Sequence, residues 1–260
     1  MPVFPRHNER HNRERRGIVL TEFCFALVAF VTHLVQGITG FGSTVLAMPF
    51  VVNLVDARVA IPVLTLLSLF FSSGLVLLDR GKIVWREVFL MTGFMAIGAP
   101  VGIYFFKHLP KEVYKPAMGT LIVVIALWGL LRFFSARAAS IRLPRWLRRA
   151  LLVVGGVTQG AFGSSGPFAV LYAEGALTEK SEFRTTMSAM WILINLIVLP
   201  QYFWAGIDVA EVSRLTAVSL PAIFLGLAAG MLLHRKIPQR GFSLLIYFVL
   251  LLSGLFNLIY

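Results

Sequence analysis

GGVTQGAFGSSGPFAVL, which runs from Gly155 to Leu171, is a polar, glycine-rich break between two strongly apolar stretches of the chain. Glycine permits backbone turns with positive φ and lets a ligand approach the backbone closely. The serines that follow can cap a helix, and Pro167 suits the first helical position, where its missing N–H costs nothing. The stretch therefore predicts that one helix ends and another begins within apolar surroundings.

The rest of the chain has the composition of a protein that lies in a membrane. Of its 260 residues, 58% are hydrophobic and only 14% are charged, whereas about a quarter of the residues of a soluble domain are charged. The sequence therefore predicts an all-α polytopic membrane protein. Uncharged runs that approach the roughly 20 residues needed to cross a bilayer are Val59–Leu78, Val88–Phe106, Thr185–Ile207, Leu215–Leu233 and Phe242–Tyr260.

The formal net charge of +12 is also found in nucleic-acid-binding proteins. Here, however, the basic residues are confined to the segments between the apolar runs, which is the positive-inside pattern of membrane proteins. We therefore expect the lipid bilayer as a partner and no nucleic acid. The basic N-terminal segment precedes an apolar run without a small-residue cleavage site, which predicts an uncleaved first helix and a cytoplasmic N-terminus.

The chain divides into two similar halves. We assign residues 1–17 to a basic tail, 18–134 to a first transmembrane repeat, 135–149 to a basic linker and 150–260 to a second transmembrane repeat. Repeated halves are common in secondary transporters. The landmarks that recur in the same order are Phe-Gly-Ser at 41–43 and 162–164, 121 positions apart, and Gly-x3-Gly at 98–102 and 226–230, 128 positions apart.

Each half is predicted to contain a helix that ends at a Gly-rich break, a short apolar piece, and about three full transmembrane helices, or about eight to ten hydrophobic segments in total. The short pieces, Thr44–Val55 and Phe168–Leu177, would form only about 18 Å of helix. We therefore predict broken, re-entrant or tilted half-helices there. The distribution of Lys and Arg leaves open whether the two halves run parallel or inverted.

The two breaks are predicted to form an anion site, because each directs free N–H groups and the positive end of a helix towards one point. The acids and bases fall in tails, loops or helix ends, so neutral donors remain for a small anionic substrate. The predicted substrate-binding residues are Gln36, Thr39, Gly40, Gly42, Ser43, Thr44, Gln159, Gly160, Gly163, Ser164, Ser165, Gly166 and Asn195.

His33 is the one imidazole inside a predicted helix, and it lies on nearly the same face as Gln36, three residues later. It is a candidate for proton coupling, with a neutral packing residue as the alternative. We predict no cofactor, no metal and no catalytic residues, because the sequence offers no nucleophile–base or metal-ligand arrangement. The Gly-x3-Gly pairs are interpreted as close helix-packing contacts.

The paired breaks QGITGFGSTVLAMPF and TQGAFGSSGPFAVLY, with DRGKIVWREV, GAPVGIYFFKHLP, FRTTMSAMW and LPAIFLGLAAGMLLHRKIP, give the chain a resemblance to a known family. It resembles the sulfite exporter TauE/SafE family of membrane permeases, also called the toluenesulfonate uptake permease family. The resemblance implies a bacterial inner-membrane carrier of sulfur-containing anions or organic acids, with the breaks as substrate region. Where that family often has three glycines, this chain has Gly42-Ser43-Thr44 and Gly163-Ser164-Ser165.

The residues and the resemblance together predict a secondary transporter for a small oxyanion, such as sulfite, a sulfonate or a related sulfur-containing or organic anion. It is not expected to be an enzyme. The alternatives are a passive anion channel and a membrane-embedded enzyme, and the residues favour the enzyme less. Substrate identity, direction of transport, coupling ion and a homo-oligomeric state are left open by the sequence.

Overall fold

The computed structural model describes residues 6–79, 82–108, 111–135, 144–204 and 206–259. Within these ranges the chain is helical apart from short turns and contains no strand, which confirms the all-α prediction. The helices described are α1 (Arg6–Thr39), α2 (Ser43–Val51), α3 (Ala57–Leu78), α4 (Trp85–His108), α5 (Lys111–Phe134), α6 (Arg145–Phe162), α7 (Gly166–Ala173), α8 (Lys180–Trp204), α9 (Val209–Lys236) and α10 (Gln239–Ile259).

Two helices extend beyond the segments that the sequence assigned to them. Helix α1 begins at Arg6, inside the basic tail, and α6 begins at Arg145, inside the basic linker. Residues 1–5 of the tail and 136–143 of the linker lie outside the described residues. The short apolar helices α2 and α7 are both present, and they end earlier than predicted, at Val51 and Ala173.

Among the described residues, five helices are long and apolar enough to cross a membrane: Gly17–Thr39 within α1, and the whole of α3, α4, α8 and α9. Large apolar side chains on their outer surfaces, such as those of Phe23, Phe89 and Leu225, are exposed. Exposed apolar surface on this scale requires contact with lipid or another protein. The bundle is therefore that of a multi-pass membrane protein.

Helices α1 and α2, and likewise α6 and α7, form helix hairpins whose tips are the Gly-rich breaks. Gly155 of α6 packs against Phe168 of α7, and the Arg148 guanidinium lies 5.8 Å from the centre of the Tyr172 ring. Helix α7 therefore turns back along α6. Helix α2 turns back along α1 in the same way, because the residues that follow it, 54–55, line one cavity with residues 17–22.

Glycine pairs bring α9 onto α1 and α4 onto α6. A Cβ atom on Gly230 would lie 2.7 Å from the Cα of Gly37, and one on Gly102 would lie 2.0 Å from the Val157 carbonyl oxygen. No side chain fits at either contact, since real Cβ contacts are longer than these distances. The structure thus confirms that the Gly-x3-Gly pairs are helix-packing contacts.

The directions of the central helices follow from their end contacts. Asp79 at the end of α3 forms an ion pair with Arg184 near the start of α8, so these two packed helices run antiparallel. Helices α1 and α9 run parallel, because Glu22 at the middle of α1 pairs with Arg214 near the start of α9 at 3.3 Å and their glycines meet near the ends of both helices. Helices α4 and α6 are parallel by the same criterion, since residues 98 and 102 contact residues 153 and 157.

Candidate substrate-binding site

The tips of the two hairpins meet at a cavity of about 20 Å³. Ser68 and Trp191, which lie near the midpoints of α3 and α8, also line it. The described side chains that line the cavity are all uncharged. The lining consists of Gln36, Gly42, Ser43, Thr44, Val45 and Ser68 from the first half and Gln159, Gly163, Ser164, Gly166 and Trp191 from the second.

The space in the cavity is smaller than a polyatomic ion. A single water molecule needs about 10–15 Å³ measured in the same way, so a volume of about 20 Å³ leaves room for one water and little more. A larger ligand does not fit between the hairpin tips in this conformation. Gly42 and Gly163 at the tips have φ values of 102° and 65°, which few residues other than glycine adopt.

The amide of Gln159 is fully engaged in the protein. Its Nε2 donates to Asn195 Oδ1 at 2.9 Å, and its Oε1 accepts from Ser165 Oγ at 2.9 Å. The Tyr202 hydroxyl lies within hydrogen-bond distance of the backbone carbonyls of Gln159 and Gly160, at 3.0 and 3.1 Å. Asn195, Ser165 and Tyr202 thus fix Gln159 at the tip of the second hairpin without lining the cavity themselves.

The amide of Gln36, its counterpart in the first hairpin, is only partly engaged. Its Nε2 lies 3.5 Å from Ser72 Oγ, and its Oε1 has no hydrogen-bond partner among the described residues although only 1% of Gln36 is exposed. Ser72 follows Gln36 by 36 positions, as Asn195 follows Gln159. The two halves therefore use the same pair of positions but leave one amide oxygen unsatisfied.

Three side chains from the second half hold the end of α1. The last carbonyls of a helix have no partners within the helix. Here Arg184 Nη1 donates to Gly37 O at 3.2 Å, Trp191 Nε1 donates to Gly40 O at 2.9 Å, and His234 Nδ1 donates to the carbonyl of residue 38 at 2.7 Å. This cluster ties the tip of the first hairpin to α8 and α9.

Arg184 and His234 were not predicted as parts of the site. Arg184 is near a helix end, as expected, but it is only 3% exposed and lies directly beside the first break. His234, also 3% exposed in α9, corrects the expectation that His33 is the one imidazole inside a helix. The sequence does contain one signal for the role of Arg184. Arg184 directly precedes a long apolar run, and Asp79 directly follows an earlier one.

Eight of the predicted substrate-binding residues line the cavity, and five lie next to it. The Thr39 hydroxyl donates a hydrogen bond to the Phe41 carbonyl at 2.7 Å. Gly40 packs on the backbone of α8 and Gly160 on that of α4. The lining residues Val45, Ser68 and Trp191 were not among those predicted. The eight are Gln36, Gly42, Ser43, Thr44, Gln159, Gly163, Ser164 and Gly166.

His33 does not line the cavity. It is fully buried in α1, its Nδ1 donates to the Ala29 carbonyl at 2.8 Å, and its ring packs against Phe71 with the ring centres 5.2 Å apart. Its Nε2 has no partner among the described residues. The described contacts of the ring are thus to its own helix and to α3.

The bounds of the helices at the two breaks have a constant spacing. Helices α1 and α6 end 123 positions apart, and α2 and α7 begin 123 positions apart. Positive φ occurs at Gly40, Gly42 and Gly163, so backbone conformation pairs Gly163 with Gly42 at 121 positions as well as with Gly40 at 123 positions. The Phe-Gly-Ser correspondence at 121 positions therefore stays a prediction.

An all-helical bundle with an apolar outer surface and a buried polar cavity between two helix hairpins is the architecture of a multi-pass membrane transporter. The sequence model of the family "Sulfite exporter TauE/SafE" matches residues 25–257, and the chain belongs to this family. It is similar to the probable inner membrane transporter protein TsaS of Comamonas testosteroni, with 29% identity over 179 residues that cover 68% of this chain and 74% of that protein. No solved structure matches the chain.

Proposed function

We propose that the chain is a secondary transporter that moves a small oxyanion, such as sulfite, a sulfonate or a related anion, across the inner membrane. The observation that carries this proposal is the meeting of both Gly-rich breaks at one cavity with an uncharged polar lining. Hydrogen bonds from neutral donors to an anion contribute about 1.5–3 kcal/mol each. Such a site can hold an anion and also release it, which a transporter requires.

We further propose that the two halves are inverted repeats, each made of a re-entrant hairpin and three full spans. The constant spacing of 123 positions at the breaks supports the repeat. The antiparallel course of the equivalent helices α3 and α8, joined by Asp79 and Arg184, supports the inversion. Inverted repeats around a central site are the usual basis of alternating access in secondary transporters.

The small volume of the cavity favours a transporter over the alternative of a passive channel. A channel offers a continuous path, whereas the space between the hairpin tips is only about 20 Å³. The proposed cycle therefore requires the tips to open towards one side at a time. A cytoplasmic N-terminus, proton coupling through His33 and assembly into a homo-oligomer are separate proposals that this cycle does not require.

The proposed class is tested by the melting temperature of the purified protein in the presence of sulfite, methanesulfonate, acetate or simple cations. We expect stabilisation by one or more of the anions, because ligand binding to the folded state raises its apparent stability. The same anions should then exchange across proteoliposome membranes that contain the protein. Stabilisation by cations alone, or flux without saturation by substrate, would contradict the proposal.

Substitution of two neighbouring serines distinguishes a residue that binds the anion from one that holds the site in place. Ser164 lines the cavity, so Ser164→Ala should weaken anion binding about tenfold or more with little change in melting temperature. Ser165 instead donates to Gln159 Oε1, so Ser165→Ala leaves a buried acceptor unsatisfied and should cost about 1–3 kcal/mol of stability. Unchanged affinity in a folded Ser164→Ala protein would remove this hydroxyl from the site.

A further inference from the structure

We infer that the cavity selects an oxyanion with a single charge and a bound proton, of the type HO–XO₂⁻, over the corresponding dianion, and that Gln36 recognises the proton. This inference rests on the proposed transport function and narrows its substrate. It is carried by two independent features of the cavity, which are the uncharged lining and the unsatisfied oxygen of Gln36.

The first feature is the absence of a positive charge among the described residues that line the cavity. The nearby Arg184 is already paired with Asp79 and bonded to the Gly37 carbonyl, so its charge is compensated. The cost of moving an ion out of water grows with the square of its charge, and a dianion thus costs about four times as much as a monoanion. A small set of neutral donors therefore favours the monoanion over the dianion.

The second feature is the free acceptor at Gln36. Its Oε1 is buried and has no partner among the described residues, and such an oxygen repels the oxygens of a fully deprotonated anion. A ligand hydroxyl would satisfy it, and leaving a buried acceptor unsatisfied costs about 1–3 kcal/mol. Gln159 is less suited to this role, because its Oε1 already accepts from Ser165 and its Nε2 already donates to Asn195.

A proton-bearing substrate couples transport to pH without a titrating side chain in the cavity. The ion enters as HO–XO₂⁻ and, on the more alkaline side, releases its proton to water to give the dianion, so that one proton crosses with each ion. His33 lies outside the cavity lining and is not needed for this transfer. The pH dependence of transport then follows the ionisation of the substrate.

Binding measurements on the purified protein test the selectivity. Sulfite is titrated below and above its second pKa, with methanesulfonate as a monoanion that lacks a proton and sulfate as a dianion. We expect the apparent affinity for total sulfite to fall as the hydrogensulfite fraction falls. The affinity for methanesulfonate should be independent of pH, and the affinity for sulfate should be at least about tenfold weaker than that for hydrogensulfite. Equal binding of sulfate and hydrogensulfite would overturn the inference, whereas no binding of any anion would overturn the proposed function.

The role of Gln36 is tested by Gln36→Leu, with Ser72→Ala as the matched control. Gln36→Leu should reduce the preference for hydrogensulfite over methanesulfonate by about threefold to tenfold, as expected for one hydrogen bond. Ser72→Ala removes only the group next to Nε2 and should keep the preference. A preference that survives in Gln36→Leu, or a wild-type protein without any such preference, would overturn the assignment.

Proteoliposomes with a pH dye in the lumen test whether the proton travels with the ion. Sulfite uptake into a more alkaline lumen should acidify it, after subtraction of the signal from protein-free liposomes, and methanesulfonate uptake should not. His33→Gln should acidify the lumen to the same extent per ion, because glutamine does not titrate in this range. Loss of acidification with retained sulfite uptake in His33→Gln would instead assign the proton to His33.

Discussion

Gly163→Val is expected to abolish anion transport while the protein stays folded. Gly163 has a φ of 65°, and a Cβ atom there would lie 3.1 Å from Ile61 Cγ2 and 3.2 Å from Thr65 Oγ1. A branched side chain would press on α3 and occupy a cavity of only about 20 Å³. The left-handed backbone costs an L-residue about 1–2 kcal/mol, which is less than the stability of a typical protein. Sulfite flux in proteoliposomes and the melting temperature measure the two effects.

Gly206→Val is the matched control for the backbone term. Gly206 also has a left-handed backbone, with a φ of 79°, but apart from its chain neighbours no described residue has an atom within 4 Å of the position of its Cβ. The control should therefore lose similar stability and keep its flux. Transport at the wild-type rate in a folded Gly163→Val protein would contradict a substrate site at the hairpin tips.

The hairpin tips were predictable from the sequence because their chemistry is local. A run of glycines and hydroxyl residues in an apolar surrounding has few structural explanations, and Gly42, Ser43, Gly163 and Ser164 all line the cavity. Helix α7 begins one residue before Pro167, as expected from the tolerance of proline in the first turn of a helix. Such signals need only a few neighbouring residues.

Ser68, Trp191 and Arg184 were missed because each lies within a continuous helix. A serine or tryptophan in an apolar run looks the same whether it faces lipid, a neighbouring helix or a cavity, so no local pattern identifies its surroundings. Their roles depend on which face of α3 or α8 meets the hairpin tips, and this is fixed by contacts between distant parts of the chain.

The relative direction of the halves was undecidable from charge counts for a related reason. The proposal that they are inverted rests on long-range contacts such as the pair between Asp79 and Arg184, which are 105 positions apart. The register of the repeat depends in the same way on backbone geometry, and positive φ at Gly40, Gly42 and Gly163 fits a spacing of 121 as well as one of 123 positions.

Asp79→Asn is expected to destabilise the protein strongly, whereas Lys82→Gln, in the same connection between α3 and α4, is not. The Arg184 side chain is only 4% exposed, and Asp79 is 31% exposed. Removing the carboxylate leaves a buried guanidinium without a counter-charge, which costs about 3–5 kcal/mol for fully buried pairs. Since Asp79 is partly exposed, we expect about 3 kcal/mol or somewhat less, measured as a fall in melting temperature in detergent.

Lys82 provides the control because its ion pair is open to solvent. The hydrogen bond that Lys82 donates to Glu179 raises the pKa of its ammonium group, so the pair is present at neutral pH. The side chains of Lys82 and Glu179 are 50% and 56% exposed, and ion pairs this open to solvent contribute little to stability. A similar fall in melting temperature in Lys82→Gln and Asp79→Asn would show that the burial of Arg184 is not what makes its pair important.

The double variant Asp79→Asn with Arg184→Met separates charge from contact. Removing both partners of a buried pair is far less costly than removing one, because no uncompensated charge remains. The double variant should therefore recover much of the stability lost in Asp79→Asn. It also removes the donor to the Gly37 carbonyl, so the first hairpin tip loses one of its ties to α8. Transport should consequently stay impaired although the fold is restored. Recovery of wild-type flux together with stability would mean that Arg184 serves the fold alone and does not position the tip.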